Sequence, residues 1–113
     1  MARVEIIESL KNEVMKKFRG ESVRIFKYMR SLGESPNKGK IVGQVGGILI
    51  KELRYEGFRF YFIVDGNKLK VFSKEELTDL LMRFVRMSNK KEQQGVINEI
   101  KNVLRSLGDE GFN

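Results

Sequence analysis

The run FRFYFIV at residues 58–64 constrains the fold of this chain more than any other stretch. Its aromatic and β-branched residues favour an extended strand, and a strand sends alternate side chains to opposite faces of a sheet. One face is apolar throughout and predicts a buried core: Phe58, Phe60, Phe62 and Val64. The other face carries Arg59 and Tyr61 in a central position. Either this face is exposed to solvent, or the two residues have a role in binding.

Two neighbouring runs predict the partners of this strand. ILIKELRY at residues 48–55 precedes it after a Glu-Gly break, and KLKVF at 68–72 follows an Asp-Gly-Asn turn. Asp65-Gly66 between apolar runs is a strong hairpin signal, because glycine accepts positive φ without a Cβ clash. We therefore predict three antiparallel strands. The glycine-rich stretch SPNKGKIVGQVGG at 35–47 is interpreted as a loop that leads into the sheet.

The segment that follows carries two signals that propensity alone does not separate. Ser73 with Glu76 three positions later matches a capping box, and the leucines after it keep helical spacing. MRFVRMS, from residue 82 onward, instead has the composition of a strand. We predict a short helix near 74–81 and a fourth strand near 82–87.

Helical periodicity marks the N-terminal third of the chain. Apolar residues recur every three or four positions over residues 4–18 and again over 22–32, after which Gly33 ends the pattern. These stripes predict a helical hairpin within residues 1–33. The first few residues, 3–7, could instead pair as a short strand.

A third helical stripe lies at the other end of the chain. It covers residues 91–107 and predicts an amphipathic C-terminal helix that Gly108 ends, followed by a loosely held tail. A chain of 113 residues has room for one domain, 1–113. The predicted class is α+β, with two N-terminal helices packed on a small antiparallel sheet of three to four strands within 48–87, and the C-terminal helix.

Composition excludes several kinds of chemistry. The chain has no cysteine and no histidine, which excludes disulfides, thiolate nucleophiles, imidazole catalysis and the usual zinc ligand sets. Neither a P-loop nor a dinucleotide fingerprint is present, so we expect no metal and no other cofactor. The sequence lacks about 18 consecutive apolar residues and a cleavable leader, so we expect a cytoplasmic protein with no membrane partner.

The charge balance favours anionic partners. Lys and Arg number 22 against 15 Asp and Glu, which gives a net charge of +7. A field of that sign attracts polyanions or acidic proteins, although a lysine-rich surface that serves only solubility has the same balance.

Arg59 and Tyr61 leave the predicted sheet in the same direction, roughly 7 Å apart along the strand. A guanidinium is a fixed fork for phosphate oxygens, and a phenol ring offers a face on which a base stacks. Further cations come from the end of the preceding strand and from RFVRMSNKK. If the strand order brings these beside Arg59, they would form an electrostatic funnel for a nucleic-acid backbone. They are Arg54, Arg83, Arg86, Lys90 and Lys91.

The order of these motifs resembles the RelE/ParE superfamily of toxin-antitoxin toxins, and most closely its HigB-like, phage-derived branch. The resemblance covers roughly residues 9–107 and rests on two helices followed by KELRYEGFRFYFIVDGNKLKVF and RFVRMSNKKEQQGVINEIKNVL. The matching features are ELR at 52–54, GFRFYF at 57–62, the DGN turn, the basic strand end at 84–86, the Ser-polar-Lys segment at 88–91, and the last helix.

The resemblance implies a small α+β fold with a concave basic face and a type II toxin that cuts mRNA on the ribosome. Such an endoribonuclease needs no metal, because the ribose 2′-OH is the nucleophile and the protein orients it and stabilises charge. The implied partners are a cognate antitoxin protein and mRNA on the ribosome. Two alternatives stay open: a catalytically silent basic module that binds RNA or protein, and a ParE-like gyrase inhibitor.

Carried over by position, the resemblance implies catalytic roles for three residues. Arg59 and Arg86 would bind or stabilise the scissile phosphate, and Tyr61 would stack on a base. The implied RNA-binding residues are Lys51, Arg54, Arg83, Lys90 and Lys91.

The sequence departs from the family pattern in four ways, and two of them, Glu52 and a missing tyrosine, favour the silent module. The RelE branch has a lysine directly before its Leu-Arg pair, where this chain has Glu52, and Lys51 is one place away and turned to the other face. The NKKEQQ segment has no tyrosine, and the histidines of part of the HigB branch are missing. The insertion SKEELTDLL before the last strand is longer than the usual connection.

Overall fold

The computed structural model describes residues 2–71 and 80–112, and arranges them as one sheet with helices on both of its faces. The strands are β1 (Arg3–Ile6), β2 (Lys40–Val45), β3 (Ile48–Tyr55), β4 (Phe58–Asp65) and β5 (Leu81–Asn89). The helices are α1 (Glu8–Phe18), α2 (Ser22–Arg30), α3 (Gly66–Val71) and α4 (Gln93–Leu107). In the described part of the chain, no helix is long and apolar enough to cross a membrane.

The sheet has the order β1-β5-β4-β3-β2. Neighbours pair antiparallel except β1, which runs parallel to β5. The predicted α+β class and helical hairpin are therefore confirmed, whereas the prediction of an antiparallel sheet of three to four strands is wrong. The alternative prediction that the first few residues form a short strand is confirmed as β1. This strand completes the backbone hydrogen bonds of one edge of β5.

The predicted hairpin after β4 and the strand at 68–72 are wrong for the described residues up to Val71, which form α3. Oδ1 of Asp65 accepts hydrogen bonds from the backbone N–H groups of Asn67 (2.9 Å) and Lys68 (3.2 Å). Two otherwise unpaired N–H groups of a first helical turn are thereby satisfied, which is the role of an N-cap aspartate. The same Asp-Gly pair that favours a hairpin turn here starts a helix.

The interpretation of residues 35–47 as a loop is also wrong, because β2 lies within them. β2 pairs antiparallel with β3, and its register shifts between Ile41 and Gly43, which marks a bulge. A Cβ at Gly43 would lie 2.9 Å from Cε of Lys101 in α4, a contact that a shift of the flexible lysine side chain relieves.

The prediction for residues 73–87 is tested only in part. The capping box and most of the helix predicted near 74–81 lie outside the described residues. The described end of that range, Leu80 and Leu81, is not helical. The strand predicted near 82–87 is confirmed as β5, which extends beyond it at both ends.

The two faces of the sheet are covered differently. We call the side packed against α1 and α2 the hairpin face and the side packed against α4 the α4 face. The apolar side of β4 lies on the hairpin face as predicted, and Phe60 and Phe62 there are fully buried. Fully buried partners from the rest of the chain complete this core: Leu10, Val14, Ile25, Met29, Leu32, Met82 and Phe84.

The C-terminal helix and its cap are confirmed, but the tail is not loose. Gly108 has φ +72°, a conformation that glycine adopts without a Cβ clash. A 3-10 turn then runs from Gly108 to Gly111, and Phe112 is buried. The guanidinium of Arg86 lies 5.1 Å from the centre of the Phe112 ring, so the tail packs beside the α4 face.

Candidate nucleic-acid interface

The strand register places the candidate residues in two adjacent rows on the α4 face. The arginine row contains Arg54, Arg59 and Ser88, which lie opposite one another on β3, β4 and β5 near one end of the sheet. The tyrosine row, two residues further in, contains Glu52, Tyr61 and Arg86. The structure therefore brings all three predicted catalytic residues to one face.

Arg59 is the least satisfied charged group at this end of the sheet. The residue is 7% exposed, and its Nη1 donates a hydrogen bond to the carbonyl of Gly57 at 3.2 Å. Its Nε is buried and has no hydrogen-bond partner among the described residues. A buried donor without an acceptor is unfavourable, so a ligand oxygen that reached this Nε would relieve the cost, and reaching it requires the groups that cover it to move.

Glu52 acts as an internal anion beside Arg54. The carboxylate is almost fully buried, and Nε of Arg54 donates to its Oε1 at 3.0 Å. Nε2 of Gln93, in the first turn of α4, donates to Oε2 at 3.4 Å. Both carboxylate oxygens are thus occupied by donors of the chain itself, while the side chain of Arg54 stays 57% exposed.

Tyr61 is fully buried beneath α4. Its hydroxyl shares a 2.7 Å hydrogen bond with Oγ of Ser88. Burial raises the pKa of Tyr61 above its usual 10.0, and the bond to Ser88 opposes this shift. The phenol therefore stays protonated at neutral pH, and its ring is not accessible to a base in this structure.

Arg86 lies on the same face but is bound to α4. Its Nε donates to Oε1 of Glu99 at 2.8 Å, and its ring contact with Phe112 covers the guanidinium further. Its side chain is 27% exposed. Arg86 is therefore closer to the helix than to the arginine row, although it stands directly beside Tyr61.

Two predicted RNA-binding residues lie away from the arginine row. Arg83 donates from Nη1 to the carbonyl of Asp109 at 2.9 Å, and its Nε lies 3.1 Å from Glu5 without hydrogen-bond geometry. Lys51 is buried on the hairpin face, where Nζ donates to the carbonyl of Asn37 at 3.2 Å. Burial lowers the pKa of Lys51 below its usual 10.5.

Lys90 and Lys91 are exposed in the turn between β5 and α4. β5 ends at Asn89, one residue beyond the arginine row, so both lysines belong to the same end of the sheet as Arg54 and Arg59. We call this group of four cations the sheet-end site. A negatively charged backbone passing this end would meet all four.

Sequence reasoning missed Ser88 and Gln93. The alternation of a strand puts Ser88 on the same face as Arg86, so periodicity could have found it. Nothing local predicts that Gln93 reaches Glu52, because that contact depends on how α4 crosses the sheet.

The site contains no obvious metal ligands. Within residues 2–71 and 80–112, no group of three or more acidic side chains could hold a metal ion.

Comparison of the chain with protein-family models, with curated proteins and with solved structures finds no match.

Proposed function

We propose that this protein is a RelE/HigB-like toxin that binds RNA at the sheet-end site and cleaves mRNA on the ribosome. The observation that carries the proposal is Arg59, a buried guanidinium whose Nε has no hydrogen-bond partner among the described residues, at the same end of the sheet as Arg54, Lys90 and Lys91. A phosphodiester offers oxygens in the geometry that a guanidinium binds through two parallel hydrogen bonds. The net charge of +7 acts in the same direction at long range.

The proposed cleavage is a metal-independent attack of the ribose 2′-oxygen on the adjacent phosphorus. The 2′-O–P bond forms as the P–O5′ bond breaks, water accepts the 2′-hydroxyl proton, and the 5′-oxygen takes up a proton from water. Arg59 and Arg86 would stabilise the charge on the non-bridging oxygens. Tyr61 lies between them under α4, so its participation requires that the helix move away from the tyrosine row.

The specific observations on Glu52 and Tyr61 favour a second candidate, a silent RNA-binding module of the same kind. Glu52 holds Arg54, and Tyr61 is both buried and hydrogen-bonded. Such a module would bind RNA with the same residues and release counterions, but it would not cut the chain. A ParE-like action on gyrase is a third possibility that no contact in the structure favours.

A cognate antitoxin is the proposed protein partner. The excess of Lys and Arg suits an acidic segment, because complementary charge speeds association and selects partners. We propose that this segment competes with RNA for the sheet-end site.

The test is induced expression with mapping of mRNA 5′ ends in the same cells. Wild type should arrest growth and produce new ribosome-dependent ends, and Arg59→Ala should do neither. Arg24→Ala is the matched control, because it removes the same charge from an exposed position on α2, away from the sheet-end site and from the predicted RNA-binding residues. Equal cleavage by Arg59→Ala and wild type would contradict the proposed role of Arg59.

A purified-protein measurement separates the two candidates. Both require RNA binding that weakens steeply between about 50 and 200 mM salt, because phosphate contacts release counterions. Salt-sensitive binding by a folded wild-type protein that yields no new ends in cells would establish the silent module. Binding that ignored salt would contradict both.

A further inference from the structure

The turn between β3 and β4 presents different chemistry on its two sides. Arg54 pairs with Arg59 on the α4 face, and the next pair, Tyr55 with Phe58, lies on the hairpin face. The register continues without interruption through this end, so the two pairs are neighbours across the thickness of the sheet. A cationic pair and an aromatic pair therefore share one edge of the molecule.

The aromatic pair belongs to a cluster of half-buried rings. Phe18, the last residue of α1, meets Phe58 edge-on with ring centres 5.1 Å apart and Tyr55 with centres 6.4 Å apart. Tyr28 of α2 lies 6.2 Å from Tyr55, and its hydroxyl donates to the carbonyl of Arg54 at 3.1 Å. All four rings keep part of their surface exposed, so packing holds them in place without covering them.

Lysines lie among these rings. Nζ of Lys17 lies 5.0 Å from the centre of the Phe58 ring, and Nζ of Lys38 lies 5.3 Å from that of Tyr28. The exposed part of these rings therefore has positive charge next to it. Exposed rings beside cations are the combination that binds unpaired bases and their phosphates together.

We propose that Tyr55 and Phe58 form a base-stacking surface, and that the RNA bound at the sheet-end site is single-stranded. This inference rests on the proposed RNA binding by Arg59 and adds a second, base-directed contact to it. A strand that crosses the β3–β4 turn places phosphates on the arginine pair and one or more bases against the aromatic pair. Paired bases in a duplex hide their faces, so a duplex would retain only the phosphate contacts.

Fluorescence anisotropy with three labelled probes of equal length tests the inference. The probes are a single-stranded oligouridine, the same strand annealed to oligoadenosine, and a ribose-phosphate strand with abasic positions. Wild type should bind the oligouridine about tenfold more tightly than the abasic strand, roughly the effect of one stacked base. It should also prefer the oligouridine to the duplex.

Variants identify which residues are responsible. Phe58→Leu keeps an apolar side chain against Phe18 and should weaken oligouridine binding about tenfold while leaving the abasic strand unaffected. Phe58→Tyr keeps a ring and should bind like wild type. Arg59→Ala should weaken both probes, with thermal unfolding of each variant as the check on folding.

The outcomes separate this inference from the proposed function. If Arg59→Ala weakens binding but Phe58→Leu does not, the stacking surface is overturned and phosphate binding stands. If Phe58→Leu weakens the oligouridine and the abasic strand equally, its effect is structural and the inference also fails. If neither variant changes binding, the sheet end is not the RNA site and both proposals fall.

Discussion

The two faces of the sheet use the same strands for different purposes. On the hairpin face, Phe60, Phe62 and Phe84 pack against two helices, and Lys51 is a charged group held there by one carbonyl. On the α4 face, Ile50 and Ile63 lie beside Glu52, Tyr61 and the arginine row. Burial of apolar surface stabilises the hairpin face. The α4 face buries polar groups as well, and these must find hydrogen-bond partners within the protein.

The contacts of α4 show the same division along one helix. Its buried residues Ile97, Ile100 and Leu104 pack on the sheet, while Gln93 and Glu99 bind Glu52 and Arg86. The comparison teaches that α4 serves both as a cover for the core and as a partner of the candidate site. We therefore expect substitutions at the candidate site to alter the packing of α4 on the sheet as well.

The largest expected effect is on the hairpin face. Phe60→Ala should lower the free energy of unfolding by about 3–5 kcal/mol, because it removes a fully buried ring and leaves a cavity. Urea unfolding measures the change. A loss below about 1 kcal/mol would mean that this face is not the main source of stability.

Tyr61→Phe tests the α4 face at the neighbouring position. It should lower the free energy of unfolding by about 1–2 kcal/mol, because the ring stays and Ser88 loses its buried partner. Adding Ser88→Ala to Tyr61→Phe should lower the free energy of unfolding little further, because it removes the Ser88 hydroxyl that Tyr61→Phe leaves without a partner. Additive losses in this double-mutant cycle would show that the two hydroxyls are not coupled.

Glu52→Gln tests whether the internal anion competes with RNA. It frees Arg54 and removes a repulsion of about 1 kcal/mol at ~4 Å in water-like surroundings, so RNA binding should tighten about fivefold at low salt. Glu8→Gln is the control, since it removes the same charge from the exposed surface of α1. Weaker binding of Glu52→Gln would mean instead that Glu52 positions Arg54 for the ligand.

The smallest effects distinguish the two faces by the sign of their pH dependence. Because the pKa of Lys51 is lowered in the folded protein, the unfolded chain binds more protons than the folded one between that pKa and 10.5. The contribution of Lys51 to stability therefore rises with pH in this range. Because the pKa of Tyr61 is raised in the folded protein, the phenol loses its proton at lower pH in the unfolded chain than in the folded one. The contribution of Tyr61 to stability therefore falls as the pH rises above 10.0.

Urea unfolding at closely spaced alkaline pH values measures both slopes against matched variants. Lys51→Met should remove the rise below pH 10.5, and Tyr61→Phe should remove the fall above pH 10.0. Variants that follow the wild-type pH profile would show that neither group titrates differently in the folded protein.

Much of this architecture was predictable because periodicity is a local property. The alternation of residues 58–64 assigns Phe60 and Tyr61 to opposite faces, and the helical stripes locate α1, α2 and α4. The shared direction of Arg59 and Tyr61 follows from the same rule. The class of the fold and the two faces of β4 are therefore determined by the sequence alone, whereas Phe84 and Arg86 reach opposite faces only because the register of β5 shifts between them.

Tertiary structure decided the rest, because a pattern states which side of an element is apolar but not which element covers it. The N–H of Gly66 donates to the distant carbonyl of Gly47 at the point where a helix replaces the predicted hairpin, and pairing with β3 made a strand of a glycine-rich segment. The position of α4 depends on packing between residues far apart in sequence. That packing buries Tyr61 and leaves Arg59, near the end of the central strand, with an Nε that has no acceptor among the described residues, which no local signal could indicate.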